Sequence, residues 1–157
     1  MPDNIWHYAF DAEFPSVVRE LVTDVSIFPS PNSQGIKTYA VWDTGATHSV
    51  LSPKIANNLQ LITIDSSLVS GINHSQYADI VIASIGLTNG QLLPDIRFSV
   101  CDIPGTDVLI GMDIIMMGDF AISNGDGKTL FSFAIPPFKN KVSYTEKADS
   151  INRRCGV

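Results

Sequence analysis

One carboxylate in this 157-residue chain stands where chemistry could be done with it. Asp43 follows the apolar run Tyr39-Ala40-Val41-Trp42 and opens the turn Asp43-Thr44-Gly45-Ala46. Thr47-His48-Ser49 then leads into a second apolar step, Val50-Leu51. A tight turn between two strands fixes where its side chains point. Gly45 has no Cβ, so another backbone or a bound chain can come close to it. A carboxylate held this way can take a proton from water or give one to a carbonyl oxygen. Asp and Gly are also ordinary turn residues, so this stretch alone describes a strand connection equally well.

A second element lies far downstream: Asp107-Val108-Leu109-Ile110-Gly111-Met112-Asp113-Ile114-Ile115. Two apolar residues and a glycine lead into a short apolar helix, which Gly118 is expected to end. Together the two elements resemble the retropepsin-like aspartic proteases. There an apolar-apolar-Gly strand end packs beside the Asp-Thr-Gly loop and a short helix follows. The resemblance covers about residues 20–136. It extends to the single-domain bacterial branch through Ile110–Ile114, Gly118–Ile122 and Gly127–Phe133.

The resemblance implies an all-β fold. This is a closed β-barrel, the half-lobe of an acid protease, with one short C-terminal helix, acting as a C2 homodimer. It implies an aspartic endopeptidase. Asp43 is the catalytic carboxylate, Thr44 bonds across the two-fold axis, and the Gly45 carbonyl holds the substrate main chain. Ala46, Leu109 and Ile110 fall along the substrate cleft. Gly71, Ile72 and Asn73 fall where the family places the flap that closes over a bound peptide. The substrate is then an extended polypeptide with apolar side chains beside the cut. Water attacks directly, so no metal and no cofactor is expected. One departure stands out. Viral relatives often carry an Asp–Arg ion pair at the positions held here by Thr47 and Met112, and both ends are missing together.

Length decides the assembly. The chain has room for one domain. No other Asp is followed by Thr-Gly or Ser-Gly, so a pair of carboxylates requires a second copy. A C2 contact is the commonest way to supply one. Two other classes compete. One is the phosphate loop of a sugar-kinase or actin-like fold, which needs two lobes and a much longer chain. The other keeps the fold as a peptide-binding or dimerising module with little proteolysis.

The elements that must position Asp43 are strands. Leu21, Val22, Val25 and Ile27 predict a first strand, and Ile36 to Trp42 a second that feeds Asp43. Val50-Leu51 predicts a short strand, followed by a helical turn with Ser52 as cap and Pro53 as its first residue. Leu68 to Ser75 reads as a hairpin approach and tip. Ile80 to Ile85 is a β-branched run, and Ile96, Phe98 and Val100 alternate with polar residues. Phe120-Ala121-Ile122 and Leu130-Phe131-Ser132-Phe133 flank a Gly-rich turn. The expected organisation is an arm over 1–18, a protease domain over 19–137 and a basic tail over 138–157.

Composition suits a globular protein: 45% of residues are hydrophobic and 17% charged. Net charge is −6 and unevenly spread. Residues 139–157 hold five basic and two acidic residues, which leaves −9 on the body. An acidic body argues against nucleic acid as a partner. The N-terminus lacks the pattern of a signal peptide, and no apolar run approaches membrane-spanning length. Cys101 and Cys155 form no metal or disulfide pattern. A cytoplasmic location without membrane association is the expectation.

Overall fold

The computed structural model describes residues 5–70 and 75–155. Among these described residues, ten strands and three α-helices follow one another. They are β1 (Tyr8–Glu13), β2 (Leu21–Phe28), β3 (Ile36–Trp42), β4 (Val50–Leu51), α1 (Pro53–Asn58), β5 (Thr63–Ser70) and β6 (Ser75–Gly86). β7 (Leu92–Val100), β8 (Val108–Ile110), α2 (Met112–Ile115), β9 (Asp119–Ser123), β10 (Leu130–Ile135) and α3 (Tyr144–Cys155) complete it.

Seven strands form one sheet in the order β2-β3-β8-β4-β7-β6-β5. β2 also pairs with β6, through Ser26–Phe28 against Ser84–Gly86, so the sheet closes on itself as a barrel. β6 can serve both roles because it is 12 residues long. Its first part carries the β5 hairpin and its last part closes the ring. Alternation decides what faces inward. In β2, Leu21, Thr23, Val25 and Ile27 are buried while the residues between them are not. Phe98, Leu51, Ile85, Val108 and Ile110 fill the interior.

A second sheet, β1-β10-β9, packs on the barrel. Phe10, Phe131 and Phe133 face inward from it and meet Trp42 of β3. The Trp42 ring lies 4.9 Å from that of Phe133 and 5.0 Å from that of Phe131. Its Nε1–H donates to Thr23 Oγ1 at 2.9 Å, so the indole is fixed at both its apolar body and its polar edge.

The segment expected as an arm is therefore corrected. β1 pairs with β10 along its whole length, and Phe10 is part of the core. Residues 14–18 are tied down as well, through the buried Thr129. Its carbonyl accepts from Phe14 N–H at 2.8 Å, and its Oγ1 accepts from Val18 N–H at 3.1 Å. The C-terminal segment differs too: it holds the helix α3, none of whose residues is buried. Among the described residues no helix is long and apolar enough to cross a membrane.

The helical turn foreseen after β4 is α1. Ser52 Oγ accepts from Ile55 N–H at 3.3 Å, and Pro53 opens the helix. α2 ends at Ile115, with Met116 as its C-cap, before Gly118. Gly118 is needed for another reason, since a Cβ there would run into the carbonyl oxygen of Ala134 on β10.

Candidate active site

Asp43 lies at the mouth of a loop whose two arms are β3 and β4. β8 runs between those arms, parallel to β3 and antiparallel to β4. Trp42 sits opposite Ile110, and Val50 sits opposite Leu109. The strand end Leu109-Ile110-Gly111 thus packs beside Asp43, as the sequence led us to expect. The Asp43 N–H donates to the Ile110 carbonyl at 2.9 Å. The Asp43 side chain is half-buried, and its Oδ1 accepts from Gly45 N–H at 2.8 Å. Thr44 and Gly45 are exposed and Ala46 is half-buried.

The far side of the loop is stitched to α2. Met112 N–H donates to Ala46 O at 2.8 Å, and Asp113 N–H donates to Thr47 O at 3.2 Å. The Asp113 carboxylate accepts from Ser49 twice, from its N–H at 2.9 Å and from its Oγ–H at 2.7 Å. Ser49 Oγ in turn accepts from Gly111 N–H at 3.0 Å. Ser49 is fully buried, so each of these polar groups needs its partner. Gly111 lets the loop and the strand end touch. A Cβ there would lie 2.7 Å from the His48 carbonyl and 2.9 Å from Ala46 O.

Thr47 and Met112 are the positions where the sequence departs from the viral pattern. Here those positions are held through their backbones, and the side-chain bond between the two segments runs from Ser49 to Asp113. Asp113 is the positioning residue that sequence reasoning missed. Its partner lies 64 residues away, and an acid at a helix start reads as an ordinary first-turn residue.

A second strut holds the opposite end of the loop. Asp107 accepts from Ser52 Oγ at 2.8 Å and from Lys54 Nζ at 2.9 Å. The Lys54 ammonium, with help from the Ser52 hydroxyl, holds this carboxyl below its ordinary value of 3.8, against a smaller opposing effect of burial.

A groove of about 370 Å³ opens beside the carboxylate, lined by Arg19, Glu20, Asp43, Thr44, Phe120 and Ile122. Phe120, Ile122 and Arg19 were not foreseen at the site. They arrive through the terminal sheet and the segment that Thr129 anchors. A larger groove of about 1140 Å³ lies between that sheet and residues 136–144, and none of the Asp43 loop lines it.

Two expected cleft residues separate here. Leu109 is half-buried, whereas the Ile110 side chain is fully buried in the barrel core and cannot wall an open pocket. Ile110 reaches the site through its carbonyl instead. Gly71, Ile72 and Asn73 lie outside the described residues; β5 and β6 lead to them as a hairpin. Among the described residues no cluster of three His, Cys, Asp or Glu side chains could hold a metal ion.

Residues 32–116 match the family described as "gag-polyprotein putative aspartyl protease". No curated protein matches the sequence. Among solved structures, a retropepsin-like aspartic protease from Rickettsia conorii superposes with a TM-score of 0.52 at 16% identity, over 83% of this chain and 96% of that one. At that identity the likeness shows the fold. EIAV protease, complexed with the inhibitor HBY-793, aligns at 24% identity over 62% of this chain and 86% of that one, with a TM-score of 0.48. The retroviral protease-like domain of Ddi1 from Leishmania major aligns at 17% identity over 73% and 95%, with a TM-score of 0.48. The family match takes in the Asp43 loop, β8 and α2 and spans more than half of the sequence, so the chain belongs to the gag-polyprotein aspartyl protease family, with a retropepsin-like fold.

Proposed function

We propose that this protein is an aspartic endopeptidase that works as a homodimer, with Asp43 of each subunit forming the catalytic pair. The observation that carries the reading is the Asp43 loop. One carboxylate per chain is fixed at its backbone by Ile110 and at Oδ1 by Gly45, and it faces an open groove.

Two like carboxylates at close range cannot both ionise comfortably, so they share one proton, as in aspartic proteases at large. The ionised Asp43 takes a proton from a water held between the pair, and that water attacks the scissile carbonyl carbon. The protonated mate donates to the carbonyl oxygen. Thr44, exposed at the loop tip, bonds to the partner loop across the axis. The Gly45 carbonyl and the half-buried Ala46 hold an extended substrate main chain, and Leu109 offers an apolar wall. The hairpin of β5 and β6 carries Gly71, Ile72 and Asn73 as the flap. The substrate is a polypeptide, and the chemistry needs neither metal nor cofactor.

Asp43→Asn keeps the shape of the side chain and removes its acid–base chemistry. The variant is expected to fold and dimerise like the wild type, with peptide cleavage reduced by about a thousandfold or more. Cleavage of an unfolded protein substrate, read beside mass by light scattering, is the measurement. Wild-type cleavage by the purified variant rejects the assignment. A wild-type protein that binds peptides and cuts none would leave a binding module in its place.

A further inference from the structure

We propose that α3, with the basic segment leading into it, is a docking element for an anionic lipid bilayer, on whose surface the helix lies flat. The expectation of no membrane association rests on spanning length, which a helix lying on a surface does not need.

The start of the helix is written locally. Ser143 Oγ accepts from Glu146 N–H at 3.2 Å, and Ser143 O accepts from Lys147 N–H at 3.2 Å. Yet α3 is 12 residues long and buries none of them. A helix of that length with no covered face is marginal in water. The surface that completes it lies outside the described chain.

The side-chain pattern indicates which surface. At about 3.6 residues per turn, Tyr144, Ala148, Ile151 and Cys155 fall within about 60° of arc. All four are exposed. Lys147 and Arg154 border this stripe on one side, and Glu146 and Asp149 lie on the far side of the helix. A helix that packs onto a protein core presents an apolar stripe of about 100° or more. The narrower stripe of α3 suits a flat boundary. There the apolar side chains enter the acyl region, the basic heads stay at the phosphates and the acids face water. Tyr144, an apolar ring with a polar tip, fits the same boundary.

The approach to the helix carries the same mixture without a helical period. Val142 is 80% exposed, beside Lys141 and two residues from Tyr144. A protein groove demands register from such a segment, and a bilayer does not.

Charge points the same way. Residues 139–157 hold five basic and two acidic residues, against −9 on the body. Among the described residues, none of those five basic side chains is ion-paired, so the acidic body does not use them. Anionic headgroups attract basic residues close to the membrane surface. Repulsion of the body fades beyond a Debye length of about 8–10 Å, so contact is made by the tail.

The test is co-sedimentation of the full chain with vesicles of phosphatidylcholine alone, or of phosphatidylcholine with about one-third phosphatidylserine. The protein is expected to pellet with the mixed vesicles and not with phosphatidylcholine alone, and raised NaCl should release it. A chain ending at Phe138, and the double variant Lys147→Glu with Arg154→Glu, should each partition about tenfold or more less well. Ile151→Asn, which leaves the charge unchanged, should also weaken partitioning. Cleavage of a soluble peptide should stay at the wild-type level in all three.

No pelleting with phosphatidylserine, or equal pelleting of the chain ending at Phe138, overturns the proposal. A tail that binds poly-L-glutamate and no vesicle overturns it too, and gives the face to an acidic protein. The sedimentation reads binding alone, so its outcome is separate from whether Asp43 cleaves peptides.

Discussion

At the scale of single residues, the Asp43 loop depends on a contact that carries no charge pair. Asp113 accepts three hydrogen bonds, two from Ser49 and one from Ile114 N–H at 2.9 Å. A carboxylate can do this because both of its oxygens are acceptors. An amide has only one. In Asp113→Asn either Ser49 N–H or the Ser49 hydroxyl faces a donor, beside a fully buried residue. We expect a loss of about 2 kcal/mol in unfolding free energy from this mismatch, read by urea denaturation. Cleavage should fall while KM for a short peptide changes less, because Asp113 touches the loop and not the groove. An unchanged stability would show that Ser49 finds other partners. The two segments of the candidate site were legible in the sequence, because Asp-Thr-Gly and Leu-Ile-Gly are contiguous. Asp113 was not, because its role exists only once two segments meet. Ile110 shows the converse: its apolar side chain suggested a pocket wall, while the structure uses it as core and offers the site only its carbonyl.

At the scale of elements, β8 is the keystone. It pairs with both arms of the loop, and Asp107 just before it fastens the start of α1. Asp107→Asn should cost about 1 kcal/mol at neutral pH, a modest figure because Lys54 is largely exposed. The pH dependence has a fixed sign. The folded state holds the Asp107 carboxyl below 3.8, so its contribution is complete above that value and is lost as pH falls through the lower, folded one. The stability gap between wild type and variant should therefore shrink between neutral pH and about pH 3. A gap that widened on acidification would refute the role given to Lys54. Strands β2, β3 and β10 were readable because alternation or β-branched runs marked them. β1 was not, since only Phe10 of its six residues is buried and Asp11 and Glu13 give it the look of a solvated arm. Its place is set by β10, which no local pattern records.

At the scale of the whole molecule, charge and burial divide the chain at the same place. The acidic body ends near Pro137, and the basic excess begins at Lys139. The hinge between them is pinned. Phe138 N–H donates to Asp119 Oδ2 at 2.8 Å, and the Phe138 ring stacks on His7 at 4.5 Å. Beyond it, α3 buries none of its residues, so its removal exposes no core. A chain ending at Phe138 keeps every strand of both sheets, the aromatic cluster around Trp42 and the pin at Asp119. It should unfold within about 1 kcal/mol of the full chain, and its dimer dissociation constant should stay within about threefold. The comparison is urea denaturation and sedimentation of both proteins at matched concentrations. A truncated protein that folds and no longer dimerises would place α3 in the interface.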